Sequence, residues 1–320
     1  MTAIIDLLAS VGRRSQAMLV AGLVGGLLWP EAAAILRPHL TELIVAVLFF
    51  AALRVDPREI GYTRSTLAHD LGLLTALQFI LPVGVAALAQ AAGWTGPAAT
   101  MLILIATAST IAGSPPIAQM LDLSGAVALR LLVMGTLLLP VTSLLPLRIA
   151  FGSSDSSEVL RPALVLGAII LASAGGAWLV RMRLLRDLSP RGDQALGGVT
   201  AILLAMFVLA LMDAVQPALL SDPVKVARAL AFTCIVGFGL QIIAALVYNQ
   251  VTAEGGDFRM AGAVGVVAGN RNIALFLAAL PASQMEPLMV LIGCYQIPMF
   301  LTPVVMRPFY RRLNRSRRAG

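Results

Sequence analysis

Apolar residues in this chain come in long runs rather than in the alternating or one-faced patterns of soluble elements. Bounded by Gly, Pro and charge, the runs fall at residues 15–36, 39–54, 71–92, 96–120, 124–148, 159–182, 195–216, 226–249, 259–281 and 287–307. A helix of about 20 apolar residues crosses the hydrocarbon of a bilayer, so the pattern predicts an all-α polytopic membrane protein with ten transmembrane helices. Residues 1–14 carry Asp6 and end in Arg13-Arg14, without the basic opening of a signal peptide. They are expected to form a short amphipathic helix on the membrane surface. Residues 309–320 form a basic tail.

Composition agrees with this reading: of 320 residues, 59% are hydrophobic and 12% charged, with a mean hydropathy of +0.90. Ten spans leave no room for a soluble catalytic domain. The formal charge of +7 gathers at span ends, where it reads as a topology signal and not as a nucleic-acid surface. On one side stand Arg13, Arg14, Arg54, Arg58, Arg64, Arg181, Arg183, Arg186, Arg191, Arg259 and six arginines from Arg307 to Arg318. The other side holds Arg37, Arg148, Arg161, Lys225 and Arg228. The excess places both termini in the cytoplasm of an inner-membrane protein. Cys234 and Cys294 lie inside apolar runs with no metal-binding or disulfide grouping nearby. There is no paired-carboxylate or His/Glu metal motif, and neither His39 nor His69 lies deep in a span. No enzymatic activity and no cofactor is expected.

Ten spans invite a search for two five-span halves. Leu77-Gln78-Phe79-Ile80 parallels Leu240-Gln241-Ile242-Ile243, Ala112-Gly113-Ser114 parallels Ala268-Gly269-Asn270, and Gly135 with Pro140 parallels Gly293 with Pro298. The matches keep their order, predicting a first repeat at 15–150 and a second at 151–308. An odd-numbered unit inverts its copy across the membrane.

Spans four and nine are interrupted at corresponding places. Thr110 and Ser114 precede Pro115-Pro116, and two consecutive prolines remove donors and clash with the turn before them. In span nine Gly262, Gly265 and Gly269 lead into Asn270-Arg271-Asn272. Taken alone, the prolines read equally as a simple kink and the glycines equally as a means of close helix packing. As a pair with polar residues at both, they point to a binding site formed by two broken helices crossing near the midplane. Arg130 and Arg271 lie within spans, where a charge costs about 2.5–3.5 kcal/mol on insertion scales. The acidic residues Glu42, Asp122, Asp213 and Glu286 sit near span ends. Compensation is therefore expected from helix C-terminal carbonyls at the breaks, from Gln78, Asn270 and Asn272, or from an anionic ligand. Arg130 has the further option of snorkelling toward Asp122.

These residues resemble the bile acid:sodium symporter superfamily along most of the chain. Gln78-Phe79-Ile80-Leu81-Pro82 is similar to the family's third-span Gln-Phe-x-x-Met-Pro. Gly269-Asn270-Arg271-Asn272-Ile273-Ala274-Leu275 is similar to its ninth-span Glu-x-Gly-x-Gln-Asn-x-x-Leu, and Ser124-Gly125-Ala126-Val127-Ala128-Leu129 to its fifth-span opening. The resemblance implies a core domain of spans three to five and eight to ten, a panel of spans one, two, six and seven, and transport of small organic anions by alternating access. The chain departs from the family where sodium is bound. Val267 and Arg271 replace a glutamate and a glutamine, and Arg130 and Met134 replace a serine and a threonine. Only Gln78 and Asn272 remain.

A guanidinium offers donors and no acceptor, so the leading expectation is sodium-independent transport with Arg130 and Arg271 in place of two sodium ions. The alternatives are sodium coupling through Thr110, Ser114, Thr136 and Asn270, and a membrane receptor that does not transport. The partners expected are a small organic anion and the lipid bilayer.

Overall fold

The computed structural model describes residues 2–55, 61–152, 157–185, 188–252 and 257–316. Arg58, Arg186, Arg317 and Arg318, all used in the charge count, lie outside the described residues. The described residues are helical, and one isolated bridge stands in place of any strand. In chain order the helices are α1 (Thr2–Arg13), α2 (Ser15–Leu28), α3 (Pro30–Leu36), α4 (Leu40–Arg54), α5 (Arg64–Thr75), α6 (Leu81–Ala91), α7 (Pro97–Thr107), α8 (Ser114–Met120), α9 (Gly125–Thr142), α10 (Leu144–Phe151), α11 (Ser157–Leu184), α12 (Pro190–Ser221), α13 (Pro223–Val251), α14 (Phe258–Gly269), α15 (Ala274–Ala279), α16 (Ala282–Met285), α17 (Met289–Val305) and α18 (Arg307–Ser316).

Among the described residues, seven stretches are long and apolar enough to cross a membrane: Pro30–Arg54, Arg64–Ala91, Gly125–Thr142, Leu160–Leu184, Pro190–Ser221, Pro223–Val251 and Ala282–Val305. Ala17–Leu28, Pro97–Thr107 and Phe258–Gly269 are apolar but shorter. Two of these short helices end at the breaks expected in spans four and nine. The third ends because Trp29 leaves helical geometry (φ −131°, ψ 73°) and Pro30 opens the next helix, where its fixed φ and missing donor fit the first turn. The expected first span of 15–36 therefore stops at Leu28.

The chain divides into two compact units. The first comprises Met1–Glu59, Val165–Ala227 and Ala274–Gly293. Its spine is α12, whose 32 residues make a rod of about 48 Å at 1.5 Å per residue. Small residues let its neighbours approach to backbone distance: Gly12 lies against Gln194 and Gly198, Gly22 against Ala205, and Gly26 against Met212. Such contacts replace the hydrophobic drive that lipid cannot supply. The N-terminal α1 packs along α12, with Ile4 and Leu7 exposed. Ion pairs join Arg54, at the end of α4, to Asp193 in the first turn of α12 (3.2 Å) and Arg37, just ahead of α4, to Asp213 in the later half of α12 (2.6 Å), so the two helices run antiparallel. Arg37 also pairs with Glu286.

The second unit comprises Ile60–Leu164, Arg228–Ile273 and Cys294–Gly320. Its core joins Leu121, Leu123, Val127, Leu131, Val264, Val267, Met306 and Tyr310. Hydroxyl and carboxylate caps fix where its helices start: Thr63 and Thr66 form a reciprocal capping box for α5, Ser124 caps α9, and Asp257 caps α14. The residues of interest lie in this unit.

Candidate functional site at the helix crossing

Helix α7 stops at Thr107 and α8 begins at Ser114, while α14 stops at Gly269 and the chain becomes helical again at Ala274. Pro115 sits in the first turn of α8, so the proline pair opens a helix instead of kinking one. The two freed segments meet. Ile111 N–H donates to the Asn270 carbonyl (3.0 Å) and Asn272 N–H donates to the Ser109 carbonyl (2.7 Å), making an antiparallel bridge between Thr110 and Arg271. Backbone groups that lost their helical partners thus satisfy one another, as buried amides must.

Among the described residues, Arg271 heads the large side chains that are fully buried. Its Nε donates to the Ala268 carbonyl (2.8 Å), Nη1 to Ala108 (2.9 Å) and Nη2 to Leu77 (3.1 Å). Ala268 and Ala108 lie at the C-terminal ends of α14 and α7, where each helix dipole presents roughly half a negative charge. Two such ends match one guanidinium, which accounts for a buried cation with no carboxylate beside it. The third carbonyl is freed by a wide turn of π type over Ala76–Ile80, between α5 and α6. Of the compensations open to Arg271 from sequence, the structure uses helix-end carbonyls.

Further bonds lock the crossing. Tyr295 Oη donates to the Gly269 carbonyl (2.7 Å) and accepts from Arg271 N–H (3.2 Å). Thr110 Oγ1 donates to the Asn270 carbonyl (2.8 Å) and lies 2.6 Å from Ser114 Oγ. Asn270 Nδ2 donates to Val266 O (2.9 Å), and its Oδ1 accepts from Thr302 Oγ1 (3.1 Å). Gly269 is required by close approach, since a Cβ there would run into the Gly237 carbonyl and Gln241. Asn272 contributes its backbone N–H. Pro115 is buried and Pro116 exposed.

Gln78 and Arg130 are placed differently from expectation. Gln78 is buried, but its Nε2 donates to the Gly135 carbonyl (2.7 Å) and Thr142 Oγ1 (3.0 Å), both in α9. It is the neighbouring Leu77 carbonyl that faces Arg271. Gln241 repeats the arrangement, donating to Thr302 Oγ1 (3.0 Å). Arg130, expected to stand as a second cation at an ion site, is ion-paired with Asp70 through Nε (2.5 Å), and Asp70 is fully buried. Its charge is already met, and it does not snorkel toward Asp122. His69 joins this group, with Nδ1 3.1 Å from Asp70 Oδ1 and Nε2 2.9 Å from Tyr248 Oη. Tyr62 Oη donates to the Arg130 carbonyl (3.3 Å). Burial, with Asp70 nearby, pushes the Tyr62 phenol up to about 12.

The sequence reading missed Asp70 by starting span three at residue 71, when α5 starts at Arg64. Thr63 and Thr66, a capping pair just upstream, were the available signal. Tyr295 and Thr302 were missed because polar tips on an apolar run resemble ordinary core. Among the described residues, no group of three or more His, Cys, Asp or Glu side chains could hold a metal ion.

No protein-family model matches the chain, and no curated protein matches it.

Proposed function

We propose that the protein is a secondary transporter of a small organic anion, working by alternating access without sodium, in which Arg271 occupies the place of a coupling cation. The carrying observation is the buried guanidinium at the C-terminal ends of two interrupted helices, donating to Leu77, Ala108 and Ala268. Negative half-helix ends and unwound carbonyls are what transporters offer to a cation, and here a side chain meets them permanently. Arg130 has no such role, because Asp70 neutralises it. The organic-anion class rests on the family resemblance.

Two further observations support the reading. The Gln78–Thr142 and Gln241–Thr302 bonds fall at matching places in the two expected five-span halves, as an inverted repeat within ten spans requires. The second compact unit gathers expected spans three, four, five, eight and most of ten with the first part of nine, and the first unit gathers one, two and seven with most of six. That division resembles the core and panel of the symporter superfamily, with the bilayer being an inner membrane and both termini cytoplasmic.

The test is flux of organic anions into proteoliposomes holding the purified protein, under clamped membrane potential, with sodium or choline as the external cation. Equal flux in both is expected. A sodium requirement would favour coupling through Thr110, Ser114, Thr136 and Asn270. Ligand-induced thermal stabilisation without flux would favour a receptor.

A further inference from the structure

Beyond the crossing, the chain carries a cationic cleft at the end of its last long apolar stretch. Helix α17 ends at Val305, and α18 begins at Arg307. Met306, just before α18, and Tyr310 and Leu313 on it are buried, at the spacing expected of one face of a helix. Tyr310 Oη donates to Gln241 Oε1 (3.1 Å), anchoring that face in the second unit. The opposite face presents Arg307, Arg311 and Arg312, all exposed. With Val304 and Pro308 they line an open cleft of about 290 Å³, and no carboxylate lines it. None of the three arginines has an ion-pair or hydrogen-bond partner among the described residues.

We propose that this cleft binds the phosphodiester headgroup of an anionic phospholipid. Val304, 71% exposed, belongs to the apolar stretch and suits the acyl-chain side of the cleft. The guanidinium groups begin three residues later, at Arg307, about where the hydrocarbon of a bilayer gives way to headgroups. A guanidinium forks across two phosphate oxygens, and three of them around one concave surface exceed what a zwitterionic lipid, whose own ammonium offsets the phosphate, can use. The anchored face of α18 holds the three in place before a lipid arrives, which lowers the ordering cost of binding. The inference does not depend on transport.

The experiment uses the purified full chain in nanodiscs of phosphatidylcholine alone or of phosphatidylcholine mixed with phosphatidylglycerol. Thermal stability and lipid retention, the latter by native mass spectrometry after release, are measured for the wild type, for R307Q/R311Q/R312Q and for R307K/R311K/R312K. The wild type should be more stable in the mixture and retain phosphatidylglycerol. Each arginine removed should weaken that preference by a factor of about five, the equivalent of about 1 kcal/mol per charge near an anionic surface. The glutamine variant should match the wild type in phosphatidylcholine alone, because the three side chains make no ion pair or hydrogen bond among the described residues, and the lysine variant should fall between. A single R311Q protein provides the readout if the triple variant does not fold. Equal phosphatidylglycerol retention by wild type and glutamine variants would overturn the proposal. So would equal stabilisation of the wild type by inorganic phosphate, which would mark a soluble-anion site.

Discussion

Replacing Arg271 by methionine removes the guanidinium from the crossing and leaves most of the side-chain volume. Two buried carbonyls, at Ala268 and Ala108, and a part-buried one at Leu77 then lose donors now at 2.8, 2.9 and 3.1 Å. An unsatisfied buried acceptor costs about 1–3 kcal/mol, which gives roughly 3–9 kcal/mol for the three. Removing the charge recovers about 2.5–3.5 kcal/mol, the cost of placing a cation at membrane depth. The balance is a loss on the order of 3 kcal/mol for Arg271→Met. Arg271→Lys should lose less, about 1–2 kcal/mol, because an ammonium keeps a charge near the helix ends but cannot reach three carbonyls in the planar geometry of a fork. Equilibrium unfolding in mixed micelles, followed by circular dichroism, gives both values. Flux should fall in the same order, and Arg271→Gln should not acquire sodium dependence, since Val267 still supplies no carboxylate. A methionine variant as stable and as active as the wild type would refute the assignment of Arg271 to the crossing.

Four further outcomes follow from other contacts. Tyr295→Phe removes the donor to Gly269 O and the acceptor of Arg271 N–H, and should cost about 2–4 kcal/mol by the same unfolding assay; an unchanged midpoint would contradict it. Asp70→Asn strips Arg130 of its counter-charge and should cost about 3–5 kcal/mol, with Asp70→Asn/Arg130→Gln recovering part of the loss; a double-mutant cycle with no coupling would refute the pairing. Gly269→Ala forces a methyl into Gly237 O and Gln241 and should abolish folded expression, while Gly239→Ala, with nothing within 4 Å, should leave the chromatographic profile unchanged. Cysteines introduced at either terminus should be labelled only from the cytoplasmic side, and labelling from the other side would overturn the proposed orientation.

The helix breaks were legible in sequence because their causes are local. Two prolines in a row set where α8 begins, and Gly262, Gly265 and Gly269 leading into Asn-Arg-Asn mark where α14 stops, each through local chemistry. The compensation of Arg271 was partly legible: an arginine beside a break, in a span free of acids, leaves helix-end carbonyls as an available counter-charge. The fate of Arg130 was hidden because Asp70 is 60 residues away and is brought inside only by an early helix start set by the Thr63–Thr66 cap. Gln78 was assigned to the right neighbourhood and the wrong neighbour, since a wide turn at Ala76–Ile80 rotates its amide toward α9 and turns the Leu77 carbonyl toward Arg271. A sequence shows no such change of helical phase.

Why a fixed cation at this place matters follows from what a mobile one does. A sodium ion held by unwound carbonyls stabilises a crossing only while it is bound, so its concentration and the membrane potential enter the conformational equilibrium. A guanidinium tethered at residue 271 supplies the positive charge to the ends of α7 and α14 at all times and at any accessible pH. Under the proposed function, the crossing is then equally well formed whether or not cations are present, and the ion gradient loses its differential affinity for any conformation, without which a ligand shifts no equilibrium. The driving force must come from the gradient of the transported anion or from exchange of one anion for another. Counterflow gives the measurement that separates the two: preloading proteoliposomes with the substrate should accelerate uptake of labelled substrate, whereas an imposed sodium gradient should not. Acceleration by the sodium gradient at fixed potential would mean that a further cation site exists and that Arg271 does not replace it.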